Sequence, residues 1–117
     1  MIEGRVTVDR VPVVEVEVAG QRWQAIIDTG FNGALELPEE LRSAVKPRFA
    51  GRVVSLLACN QRVEEDLFVV TFPFDGRTVR VQATFVDGKE ILIGTRLLQD
   101  YQLRIDFPAR TVAIDNA

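Results

Sequence analysis

Asp28 has the setting in this 117-residue chain that most needs a chemical explanation. It follows Ala25-Ile26-Ile27 and precedes Thr29-Gly30. Two β-branched apolar residues ahead of it read as the end of a buried strand, with the carboxylate at the strand's mouth. A buried charge without a partner is costly, so a carboxylate there needs hydrogen bonds. Thr29 brings a hydroxyl, and Gly30 permits a tight turn with exposed amides. On its own, Asp-Thr-Gly is satisfied by an Asx-turn, an Asp bonded to its own backbone. As chemistry, it is a carboxylate placed for general acid–base work.

The rest of the composition narrows the alternatives. His is absent and Cys occurs once, at Cys59. A Ser-His-Asp triad and a Cys-His pair are therefore excluded within the chain. One Cys builds neither a Cys/His zinc site nor an intrachain disulfide, and no metal or cofactor is expected. The acid–base groups that remain are carboxylates, the Lys residues, Tyr101 and Cys59. Fourteen Lys and Arg against 17 Asp and Glu give a net charge of −3, and the basic residues are scattered. That argues against a nucleic-acid partner. The apolar runs are far shorter than a membrane span. Met1-Ile2-Glu3-Gly4-Arg5 lacks the basic-then-apolar form of a signal peptide, so a cytoplasmic location is expected. Ile2 to Arg5 also matches a processing tetrapeptide of expression vectors, but Val6-Thr7-Val8 continues it as a strand.

Asp28 must be positioned by a mostly β framework. Val, Ile and Thr total 31 of 117 residues, a bias toward strands. The length fits one domain spanning 1–117. Val14, Val16 and Val18 alternate with Glu15 and Glu17, a strand with one wet face. Ala19-Gly20-Gln21 turns the chain into a returning strand through Trp23 and Ile27. Ala34 to Leu37 resumes a strand, and Pro38 to Val45 reads as a short helix with Glu39 and Glu40 at its start. Val53 to Leu57 and Leu67 to Phe72 flank a polar tip at Cys59-Asn60-Gln61-Arg62. Asp75-Gly76 and Asp87-Gly88 read as hairpin turns. Arg96 to Asp100 reads as a helical piece, and Leu103 to Phe107 and Thr111 to Ile114 form a closing hairpin. There is also a faint internal echo. Ala25-Ile26-Ile27-Asp28-Thr29-Gly30 has a counterpart in Glu90-Ile91-Leu92-Ile93-Gly94-Thr95.

The order of these two segments resembles the retroviral-type aspartic proteases, the single-domain relatives of pepsin. Ile26 to Pro38 is similar to a prokaryotic subgroup of that clan. Ile91-Leu92-Ile93-Gly94-Thr95-Arg96-Leu97-Leu98 and Leu103 to Phe107 resemble its closing segment. The resemblance covers Val14 to Ile114. It implies an all-β fold, a closed acid-protease barrel with one or two short helices. It also implies a homodimeric aspartic endopeptidase with Asp28 from each chain in one site, acting on a peptide or protein substrate. Thr29 would hold the two loops in register, and Gly30 would offer its amide to the carboxylate. The hairpin from about Val53 to Val70 matches the flap over the substrate, and Phe31, Leu56, Ala58 and Ile93 are the expected substrate contacts. Phe31 departs from the small residue common in viral members, so it either narrows the pocket or packs inward. The flap tip also lacks the usual glycines. The alternative is a dimeric peptide-binding module of the same fold.

Three other features have simpler explanations. Cys59 has no adjoining base and reads as a passive small residue. Glu64-Glu65-Asp66 reads as a solvated strand face rather than a cation site. Trp23 reads as core.

Overall fold

Alternation of apolar and polar residues builds one large sheet. The computed structural model describes residues 1–56 and 59–117. The strands are β1 (Ile2–Val6), β2 (Pro12–Val18), β3 (Gln21–Ile27), β4 (Leu35–Pro38), β5 (Arg48–Leu56), β6 (Arg62–Phe74), β7 (Arg77–Val86), β8 (Ile91–Ile93), β9 (Tyr101–Asp106) and β10 (Thr111–Asn116). A six-residue 3₁₀ helix, Glu39–Ala44, follows β4 and buries Leu41. Among the described residues no helix is long and apolar enough to cross a membrane.

The β2–β3 hairpin forms as its pattern predicts. Val14, Val16 and Val18 are buried while Glu15 and Glu17 are exposed. β3 then pairs in parallel with β8, with Ala25, Ile26 and Ile27 opposite Ile91, Leu92 and Ile93. The two halves of the sequence echo therefore lie side by side. β4 packs on the other edge of β8, with Leu35 opposite Ile93 and Glu36 opposite Leu92. Beyond it, β4 pairs in parallel with β7. Strand order across the sheet is β5-β6-β7-β4-β8-β3-β2-β1-β10-β9.

One face of this central section is the core. Leu35, Leu37, Ile91, Ile93 and Phe72 are at most 1% exposed. Each such side chain contributes about 1.5–3 kcal/mol relative to an exposed one. Gly4 lets β1 lie against β2, because a Cβ there would stand 2.1 Å from the Val13 carbonyl oxygen.

Three expectations are corrected. The sheet is not a closed barrel: β5 and β9 are its two free edges. No residue of β5 is buried, so β5 has no second strand to close against. Asp87-Gly88 does not make a hairpin, because β4 lies between β7 and β8. Arg96 to Asp100 forms consecutive turns, with Leu98 N donating to Thr95 O and Tyr101 N to Leu98 O. Leu97 and Leu98 are both buried in these turns.

Candidate functional site

Asp28 leaves β3 at the point where the sheet's pairing ends. Its amide donates to Ile93 O at 2.9 Å, one bond beyond the β3–β8 ladder. Its carboxylate Oδ1 accepts the Gly30 amide at 2.9 Å. Phe31 N donates to Asp28 O at 3.1 Å. The chain thus makes an Asx-turn and a backbone turn around one carboxylate. Oδ2 takes no hydrogen bond among the described residues. Asp28 is half-buried, while Thr29 and Gly30 are exposed. A partly shielded carboxylate, oriented by one amide and open at its second oxygen, can exchange a proton with a bound molecule.

A second loop fixes this one from beneath. Gly94 N donates to Ala34 O at 3.0 Å, Thr95 N to Phe31 O at 2.9 Å and Arg96 N to Gly33 O at 3.2 Å. The Thr95 hydroxyl also reaches Phe31 O at 3.3 Å. Only glycine fits at position 94: a Cβ would stand 2.1 Å from Gly33 O and 2.6 Å from Phe31 Cδ2. Of the two placements open to Phe31, its ring takes the inward one. It lies against Gly33 and Gly94, half-buried.

The remaining expected substrate contacts are dispersed. Leu56 is 71% exposed at the end of β5. Ile93 is fully buried, and it serves the loop through its carbonyl rather than its side chain. Ala58 lies outside the described residues. The hairpin of β5 and β6 is anchored at its base. Phe49 meets Phe68 edge-on, and Phe68 meets Phe85. The Arg42 guanidinium lies 4.9 Å and 4.3 Å from the centres of Phe68 and Phe85. Glu39 holds Arg42 there with two hydrogen bonds of 2.9 Å. That bonding lowers the Glu39 pKa.

Sequence reasoning missed Glu36. It is half-buried on β4, opposite Leu92 of β8 and Thr84 of β7. Its pKa is raised, first by burial, then by the negative charges of Glu65 and Asp28. The signal was the Leu35-Glu36-Leu37 alternation, which turns Glu36 off the core face. What alternation could not give is which neighbours share that face.

Among the described residues, no three His, Cys, Asp or Glu side chains are grouped so as to hold a metal ion. Two surface grooves run along Met1–Ile2, Val14–Glu17 and Pro73–Thr78, and along Leu103–Pro108 with Thr111 and Ala113. Asp28 lines neither.

No family model and no curated protein matches the sequence. Solved structures do match the fold. A retropepsin-like aspartic protease from Rickettsia conorii is 18% identical, with a TM-score of 0.68 over 98% of this chain and 89% of that one. The simian foamy virus protease is 20% identical, with a TM-score of 0.56 over 74% of this chain and 91% of that one. The EIAV protease, solved with an inhibitor, is 18% identical, with a TM-score of 0.56 over 80% of this chain and 90% of that one. At such identities the likeness is one of architecture, and on it this chain has the retropepsin-like fold.

Proposed function

We propose that the chain is an aspartic-type endopeptidase that works as a homodimer, with Asp28 of each copy facing the other across a two-fold axis. The observation that carries this reading is the Asp28-Thr29-Gly30 turn. It stands at the end of a core strand, with the Gly30 amide on its carboxylate, in a fold shared with retropepsin-like aspartic proteases. The half-site is open in one copy: Asp28 lines neither surface groove, and a facing copy would turn an open edge into a cleft. The exposed Thr29 is free to bond across that axis.

The chemistry follows from two like charges. Carboxylates about 3 Å apart cannot both ionise, so the pair holds one proton. The ionised member takes a proton from water as the water attacks the peptide carbonyl carbon. The protonated member donates its proton to the carbonyl oxygen. As the gem-diol intermediate collapses, the newly protonated carboxyl gives its proton to the departing amine while the other carboxylate takes a proton from a diol hydroxyl. The C–N bond breaks, the product acid forms, and the pair again holds one proton. The β5–β6 hairpin, with Val54 and Leu56 exposed, would cover the peptide and exclude water.

The test is cleavage of a mixed peptide library between pH 4 and 7 by wild type and Asp28→Asn. Wild type should cut with an acidic bell-shaped profile, and the variant should not cut. Equal cutting by both, or none by either, overturns the reading. Peptide binding by wild type without turnover would favour the binding-module alternative.

A further inference from the structure

We propose that Glu36 determines substrate specificity, receiving the cationic side chain of a Lys or Arg of the bound peptide close to Asp28. The inference rests on the reading of Asp28 as the site of peptide attack.

Sheet register places the residues. Ile26 is opposite Leu92, Leu92 is opposite Glu36, and Glu36 is opposite Thr84. Residues paired in this way project from the same face of a sheet. Their neighbours Ala25, Ile27, Ile91, Ile93, Leu35, Leu37 and Ala83 are buried on the opposite, core face. The second face thus carries an apolar strip, Ile26 and Leu92, leading to the carboxylate of Glu36. It continues past the end of β3 toward Asp28, whose charge is felt at Glu36.

Among the described residues this carboxylate has no ion-pair partner. The ion pairs among the described residues use Glu15, Glu39, Asp66 and Asp115, and none uses Glu36. Charged groups that act on it are both negative, Asp28 beyond β3 and Glu65 on β6; β7 and β8 present uncharged Thr84 and Leu92. Thr84 is the buried polar residue of the described chain, 7% exposed. The face therefore offers an apolar strip that ends at a half-buried carboxylate with no ion-pair partner among the described residues.

A Lys or Arg side chain matches each part. Its methylene stem lies along Ile26 and Leu92 while its charged head reaches the carboxylate. The cation would offset the burial and the like charges that disfavour ionised Glu36, so binding draws Glu36 back toward the carboxylate form. A neutral side chain would leave Glu36 uncompensated.

The experiment uses full-length Asp28→Asn protein, which retains the cleft without turnover, and fluorescence anisotropy of labelled peptides. Lys is exchanged for norleucine at each position in turn. At one position Lys should bind roughly tenfold or more tightly, the scale of a hydrogen bond to a charged group. In Asp28→Asn/Glu36→Gln the ratio should fall to about one, and at pH 4 it should shrink as Glu36 takes a proton. Glu36→Lys in the same background should turn the preference toward Glu. The proposal is overturned if no position prefers Lys, if no peptide binds, or if Glu36→Gln keeps the preference. Cleavage by the Asp28 protein is scored separately. Lys-selective binding without cleavage removes the hydrolytic reading and leaves the specificity. Cleavage with no charge preference does the reverse.

Discussion

Gly94→Ala strikes the point where the loop carrying Asp28 rests on the loop after β8. The added methyl would stand 2.1 Å from Gly33 O and 2.7 Å from Phe31 O, both backbone atoms, and 2.6 Å from Phe31 Cδ2. A rotamer change cannot relieve the two backbone contacts. The Gly33 carbonyl must move by about 1 Å, which lengthens or breaks the Arg96 N to Gly33 O bond, now 3.2 Å. Overpacking of this kind costs about 1–3 kcal/mol. One or two weakened hydrogen bonds add about 1 kcal/mol each. The expected loss is about 2–5 kcal/mol, or a melting temperature lower by roughly 8–20 °C at this chain length. Thermal unfolding followed by circular dichroism reads it directly. Adding Phe31→Ala to Gly94→Ala removes the ring contact but leaves both carbonyls in place, so it should restore no more than about 1 kcal/mol of coupling. A Gly94→Ala protein melting within about 2 °C of wild type would refute the claim that glycine is required there.

Other consequences are as specific. Phe31→Ala alone removes a half-buried ring and should cost about 1.5–2.5 kcal/mol, part of the loss for a fully buried one, measured by denaturant unfolding. The raised pKa of Glu36 means that the folded state holds its proton more tightly than the unfolded chain. Stability should therefore fall as pH rises from the ordinary value of 4.5 through the raised one. Glu36→Gln should melt higher than wild type at pH 7, and the gap should close below pH 4.5; a constant gap would contradict the assignment. Trp23 Nε1 is buried with no hydrogen-bond partner among the described residues. Trp23→Phe loses packing but removes an unsatisfied donor, so its stability should stay within about 1 kcal/mol of wild type by chemical denaturation.

The sequence revealed what is periodic or local, and the structure supplied the rest. Val14, Val16 and Val18 announced a one-sided strand, and the Asp28-Thr29-Gly30 turn announced an oriented carboxylate; both are in place. The echo between Ala25–Gly30 and Glu90–Thr95 marked two strands that pair in parallel. Pairing of distant strands was beyond local rules. Asp87-Gly88 carries hairpin chemistry, yet β8 leaves β7 because Ile91 and Ile93 are fully buried between β3 and β4. Alternation also gives two faces without saying which one meets the core of another strand. That is why Glu36 looked like ordinary strand polarity until register set it beside Leu92. The inward turn of Phe31 depends on the space left by Gly33 and Gly94, the latter 63 residues downstream in sequence by position number.

The central claim is that one active site needs Asp28 from two chains, and subunit mixing tests it. Wild type and Asp28→Asn are combined in equal amounts, allowed to exchange, and assayed on a cleaved peptide at fixed total protein. If both carboxylates are required, only dimers of two wild-type chains cut, and activity falls to about one quarter of the undiluted wild type. Activity of about one half would mean that each chain carries a complete site, and would contradict the account.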